Sequence, residues 1–125
     1  MKFLNLAKIG QIDHREFQSQ APYPWINPEE LLTTEGYQNL LDTLPDLYLF
    51  DQRFGKSRKY GQKTHDRFAL EYHDNLDVPQ PWKEFVGELR SDEYQAFLRR
   101  MLGVRAVELS FHWHYTPNGC SVSPH

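Results

Sequence analysis

The sequence predicts an α+β fold, and three features of it carry that expectation. Apolar residues recur at helical spacing around 28–44 and 81–102. A period of two runs through 68–72 and 104–115, as in half-buried strands. Clusters of Pro, Gly, Asn and Asp separate these stretches. At 125 residues the chain suits one domain, or part of one, with a real core.

Residues 1–26 show no clear period. In PYPW, residues 22–25, two prolines oppose helix, and the alternating Tyr23 and Trp25 project from one side. A helix is predicted next. Asn27 is a good cap, Pro28 suits a first helical position, and Glu29 and Glu30 favour the positive end of the dipole. Leu31, Leu32, Tyr37, Leu40, Leu41 and Leu44 form its apolar face, Gly36 is a point of division, and Pro45 ends it. LYLF, 47–50, is a short strand candidate. DQRFGKSRKYGQKTHDR, 51–67, reads as a loop or loosely held hairpin, and FALEY, 68–72, as a strand.

After the turn chemistry of HDNLDVPQP come two helices. PWKEFVGELR opens with Pro81 and buries Trp82, Phe85, Val86 and Leu89. Ser91 caps the second, whose apolar face is Tyr94, Phe97, Leu98, Met101 and Leu102, and Gly103 stops it. Arg99 and Arg100 sit in its last turn, where the dipole favours cations. Residues 104–115 read as one long strand, Pro117, Asn118 and Gly119 as a turn, and residues 120–122 as a short returning strand. A second arm that short is poorly stabilised alone, so the element is expected to be truncated.

Composition excludes several classes. A net charge of −3 and a pI near 6.0 argue against a dedicated nucleic-acid binder, which needs a broad basic face. No apolar run is long enough to span a bilayer, and the N-terminus lacks the core and cleavage site of a signal peptide. Cys120 is the sole cysteine, so no internal disulfide forms, and a cytoplasmic location is expected. Aromatics make up 14% of residues, which suits either an aromatic-built core or a concave aromatic pocket. Arg53, Lys56, Arg58, Lys59, Lys63 and Arg67 face only Asp51 and Asp66. That stretch is either a solvated loop or a patch steering an anionic group, with Phe54 and Tyr60 interleaved.

Six histidines occur. His14 and His73 read as surface residues, and His65 stands beside Asp66. His112 and His114 are two apart on a strand, so both rings share a face while Phe111, Trp113 and Tyr115 take the other. Such a pair either chelates a metal or stands as two satisfied histidines in a polar barrel interior.

The segment from Tyr115 through the Gly119 turn to Pro124 and His125 resembles the entry to the iron site of 2-oxoglutarate/iron(II)-dependent dioxygenases, prolyl-4-hydroxylase-like branch. PYPW, FGKSRKYGQKTHDRF, LEY and FHWHYTPNGCSVSPH are similar to bacterial oxygenases of that superfamily, and the resemblance covers most of 22–125. It implies a double-stranded β-helix (jelly roll), present in part, flanked by N-terminal helices. It implies Fe(II) as cofactor and 2-oxoglutarate as co-substrate, with His125 the first iron ligand and Tyr115 a contact to the co-substrate. The substrate would be a protein or a small molecule, reacting at a C–H bond.

The family's carboxylate ligand, second histidine and basic residue all lie after the position of His125. The resemblance therefore implies the N-terminal portion of an oxygenase domain that ends at its first ligand. Alone it is expected to be inactive and prone to oligomerise through an open barrel edge. Two other readings stand beside this one. The first is a small cupin-like metal-binding barrel using His112, His114 and His125. The second is a non-enzymatic interaction module.

Overall fold

In a computed structural model, the structure describes residues 1–53 and 67–118. The elements in order are α1 (Leu6–Gly10), α2 (His14–Ser19), α3 (Thr34–Asp42), a 3-10 turn (Leu47–Leu49), β1 (Asp51–Arg53), β2 (Arg67–Glu71), α4 (Gln80–Leu89), α5 (Asp92–Leu102) and β3 (His112–Tyr115). Helices and an antiparallel sheet are both present, as an α+β chain requires. Contacts divide the chain into two compact units, Met1–Leu44 with Pro79–Leu109, and Pro45–Val78 with Ser110–His125.

The first unit is helical. Its core gathers Leu4, Ile9, Phe97 and Met101, with Phe17, Leu31, Leu32 and Phe85 among the side chains packed around them. α5 follows its sequence signals closely. The Ser91 hydroxyl accepts from the Tyr94 amide at 3.3 Å, and Gly103 ends the helix at φ +67°. Phe97 and Met101 are its buried residues. α4 starts at Gln80, buries Val86, and holds Trp82, Phe85 and Leu89 half-buried.

The expected helix from Pro28 to Leu44 is shorter than the sequence predicts. α3 begins at Thr34, capped by Thr33, whose hydroxyl accepts from the Gly36 amide at 3.0 Å. Two long-range constraints displace the start. Leu32 bridges Leu4, with Asn5 N–H donating to Leu31 O at 2.8 Å and Thr33 N–H to Phe3 O at 2.8 Å. Glu30 adopts φ +59°, a left-handed conformation that no helix can pass through. On α3 itself only Gly36 and Leu40 are buried, while Tyr37, Leu41 and the following Leu44 are exposed. α1 and α2, which the sequence does not announce by periodicity, are short helices with Asn5 and Asp13 as caps.

The N-terminal segment is held on its other side by Glu88 of α4. That carboxylate accepts from the amides of Lys2 at 3.0 Å, Phe3 at 3.2 Å and Leu4 at 2.9 Å. Phe3 is fully buried, its ring 5.7 Å from that of Phe85.

The second unit is a three-stranded antiparallel sheet of order β1-β2-β3. The register pairs Asp51 with Ala69, Phe68 with Tyr115, Leu70 with Trp113, and Glu71 with His112. Two expectations need correction. LYLF is a 3-10 turn rather than a strand; the i to i+3 bonds Leu49 N–H to Asp46 O and Phe50 N–H to Leu47 O close it. The strand expected over 104–115 is confined to 112–115, because β2 offers a ladder only to Glu71, with one further bond from Tyr72 N–H to Phe111 O. A period of two in sequence creates no strand without a partner. The basic residues 56–63 and the returning strand 120–122 lie outside the described residues.

Two substitutions test the first unit. A Cβ on Gly36 would stand 2.7 Å from Lys2 O and 2.8 Å from Phe3 Cα, both backbone atoms, so Gly36→Ala is expected to cost about 2 kcal/mol. Glu88→Ala leaves three amides without their acceptor and is expected to cost about 2–3 kcal/mol. Urea unfolding reads both, and unchanged midpoints would refute them.

Candidate functional site

The sheet sorts its side chains by parity. Gln52, Phe68 and Tyr115 form one cross-strand row, with Leu70 opposite Trp113 on the same face. Tyr72 and Phe111 continue it, their rings 6.1 Å apart and edge-to-face, and Tyr72 lies 6.1 Å from Trp113. The aromatic side chains of this face are all half-buried, while Leu70 is buried and Gln52 exposed. Phe50, itself buried, stacks on Tyr115 with centroids 4.4 Å apart and planes 23° from parallel.

The Tyr115 hydroxyl donates to Pro45 O at 3.1 Å. Burial pushes its pKa up from the usual phenol value, and the negative charge of Asp46 adds to that. The hydroxyl is therefore a protonated donor through the neutral range, already committed to a carbonyl. Any ligand acceptor has to replace Pro45, whereas a ligand donor can use a remaining lone pair.

The opposite face carries Asp51, Ala69, Glu71, His112 and His114. Both imidazoles are exposed, as is Glu71, the register partner of His112. The rings of His112 and His114 lie 6.2 Å apart, 17° from parallel. The parity expected from sequence thus holds, with the imidazoles on one face and Phe111, Trp113 and Tyr115 on the other.

The structure brings together some of the residues singled out in the sequence. His112 and His114 are neighbours, and Tyr115 stands on the reverse face; His125, the expected iron ligand, lies outside the described residues. His14 opens α2, and His73 is exposed. Among the described residues, no three His, Cys, Asp or Glu side chains gather so as to hold a metal ion. Among them, also, no helix is long and apolar enough to cross a membrane.

Sequence reading missed two sets of neighbours. Phe50 and Pro45 clasp Tyr115 across a separation no local pattern encodes, and treating LYLF as a strand hid them. Glu71 was legible in the FALEY alternation, but its pairing with His112 needs the register. Elsewhere, an open groove of about 290 Å³ runs beside α2, lined by Phe17, Trp25 and Ile26 with Asp13 and Glu16. It is at the small end for ligand pockets.

No protein-family model matches this chain, and neither does any curated protein or solved structure.

Raised phenol pKa values give a pH prediction. Tyr115 and Tyr94, the latter raised by burial alone, hold their protons more tightly folded than unfolded. Above about pH 10 the unfolded chain releases protons that the folded chain keeps, so stability falls with rising pH there. The contribution is intact below that point. Tyr115→Phe and Tyr94→Phe are each expected to flatten the alkaline limb of a melting-temperature profile. An unchanged limb in both would sink the assignment.

Proposed function

We propose that the chain is the N-terminal portion of an iron(II)/2-oxoglutarate-dependent oxygenase domain that hydroxylates a C–H bond of a protein or small molecule. In the intact domain His125 would be the first iron ligand, and Tyr115 would contact 2-oxoglutarate. One observation supports this reading above the rest. Tyr115 ends β3 on the same half-buried sheet face as Trp113, with Phe111 just before the strand, and His125 follows Tyr115 by ten residues in the sequence. A tyrosine at the end of a strand, ahead of a Pro-His pair in sequence, supports the resemblance.

The bound iron would activate dioxygen, with 2-oxoglutarate as the co-substrate. Tyr115 would supply orientation. Its phenol stays protonated and can donate to a carboxylate oxygen once that oxygen displaces the Pro45 carbonyl. The stacked Phe50 fixes the ring, so that exchange needs rotation of the hydroxyl rather than of the side chain. The substrate remains at the level of its reacting bond, because a fold supports many chemistries.

The coding sequence past His125 is the first test. An acidic residue two positions on, then a later histidine and an arginine or lysine, is the expected result; absence of that carboxylate overturns the reading. With the gene product in hand, Fe(II)-dependent succinate release from 2-oxoglutarate is expected to vanish in His125→Ala. Tyr115→Phe is expected to raise KM for 2-oxoglutarate by about tenfold, the worth of one hydrogen bond to a charged group.

A further inference from the structure

We propose that the exposed apolar side of α3, together with the groove beside it, docks a basic amphipathic helix of a partner protein. The surface lies wholly within the helical unit and does not rest on the oxygenase reading.

Two observations define the surface. α3 is apolar over a wider arc than its own unit covers. Leu40, Tyr37 and Leu41 fall within about 100° of one another around the helix axis. Leu40 is buried, yet Tyr37 and Leu41 are 56% and 47% exposed, and Leu44, just past the helix, is 48% exposed. An open groove of about 370 Å³ meets the same side, lined by Leu31, Leu32 and Tyr37 with Thr33, Thr34 and Glu30. Tyr37 belongs to both, so stripe and groove are continuous. Exposed apolar residues standing singly are ordinary, whereas a continuous apolar patch marks an interaction surface.

Charge selects the occupant. From Glu16 to Leu44 the acidic residues are Glu16, Glu29, Glu30, Glu35 and Asp42, while all 14 Lys and Arg residues lie elsewhere in the chain. Asp42 ends α3 and accepts from the neutral amide of Gln38 at 2.8 Å. Among the described residues, Glu29, Glu35 and Asp42 have no cationic partner. Glu30 meets Lys8 Nζ at 3.5 Å, an ion pair exposed on both sides and therefore weak. Lysine or arginine at the edges of a docking helix gains these carboxylates, and an acidic helix is repelled by them. A helix suits the shape, because Tyr37 and Leu41 stand one turn apart and form a ridge that the grooves of a second helix accept.

The test uses the full chain and a designed helical peptide of leucine and lysine, about 18 residues or five turns long. The peptide carries a fluorophore and binding is read by anisotropy. Saturation at one equivalent is expected. Leu41→Ser and Tyr37→Ser, both at exposed positions, are each expected to weaken binding by about tenfold. Asp42→Asn is expected to weaken it by about threefold, and Leu102→Ser, at another exposed leucine of the same unit, to leave it unchanged. A peptide with glutamate in place of every lysine is expected not to bind. Should a serine variant not fold, proton NMR of the unmutated protein decides the matter: the lysine peptide is expected to shift the Tyr37 ring resonances, and unshifted resonances overturn the proposal. Equal binding of the glutamate peptide, or undiminished affinity in folded Leu41→Ser and Tyr37→Ser proteins, also overturns it. So does a dimer in sedimentation that Leu41→Ser abolishes, since a second copy of this chain would then occupy the face.

Discussion

A single carboxylate organises the helical unit. Glu88 collects the amides of Lys2, Phe3 and Leu4, three consecutive donors lying 84 to 86 residues away in sequence. Those amides face α4, while the other edge of the same segment pairs with Leu31 and Thr33. Held from both sides, the segment delivers Phe3 and Leu4 to the interior and leaves Asn5 positioned to cap α1. A charged acceptor is well matched to three donors, since hydrogen bonds to an ionised group are the stronger kind. The close approach at Gly36 follows from the same arrangement, as the backbone of Lys2 and Phe3 passes where a side chain would stand.

This constraint also explains how far the sequence could be read. Signals that act within a few residues were legible. Ser91 and Gly103 bound α5 as their chemistry requires, and the alternation of β3 sorts imidazole from aromatic side chains correctly. Signals overridden by distant partners were not. Asn27 and Pro28 have the right chemistry to start a helix, but the pairing of Leu32 with Leu4 moves the start to Thr34. Residues 104–111 alternate without becoming strand, because no ladder reaches them. α1 and α2, of five and six residues, are too short for any period to register and are set by their caps.

The sites divide in the same way. That Tyr115 and the histidines face opposite ways was readable from parity. That Tyr115 is clasped by Phe50 and the Pro45 carbonyl was not, since those contacts join segments about seventy residues apart. The clasp changes the chemistry expected of the phenol, which has a bond to give up before it can serve a ligand. On the opposite face the rings of His112 and His114 are exposed and near parallel.

Two chemically unlike surfaces thus sit back to back on strands only a few residues long, separated by one backbone thickness. Their separation depends on counting rather than on bulk. A one-residue slip of β3 along β2 would exchange the two faces, bringing the imidazoles to the side where Phe50 stacks, while a slip of two residues would restore the original faces one pair further along. The register of this strand is therefore confined to even steps, a rule that falls on the spacing of the chain and on no individual side chain.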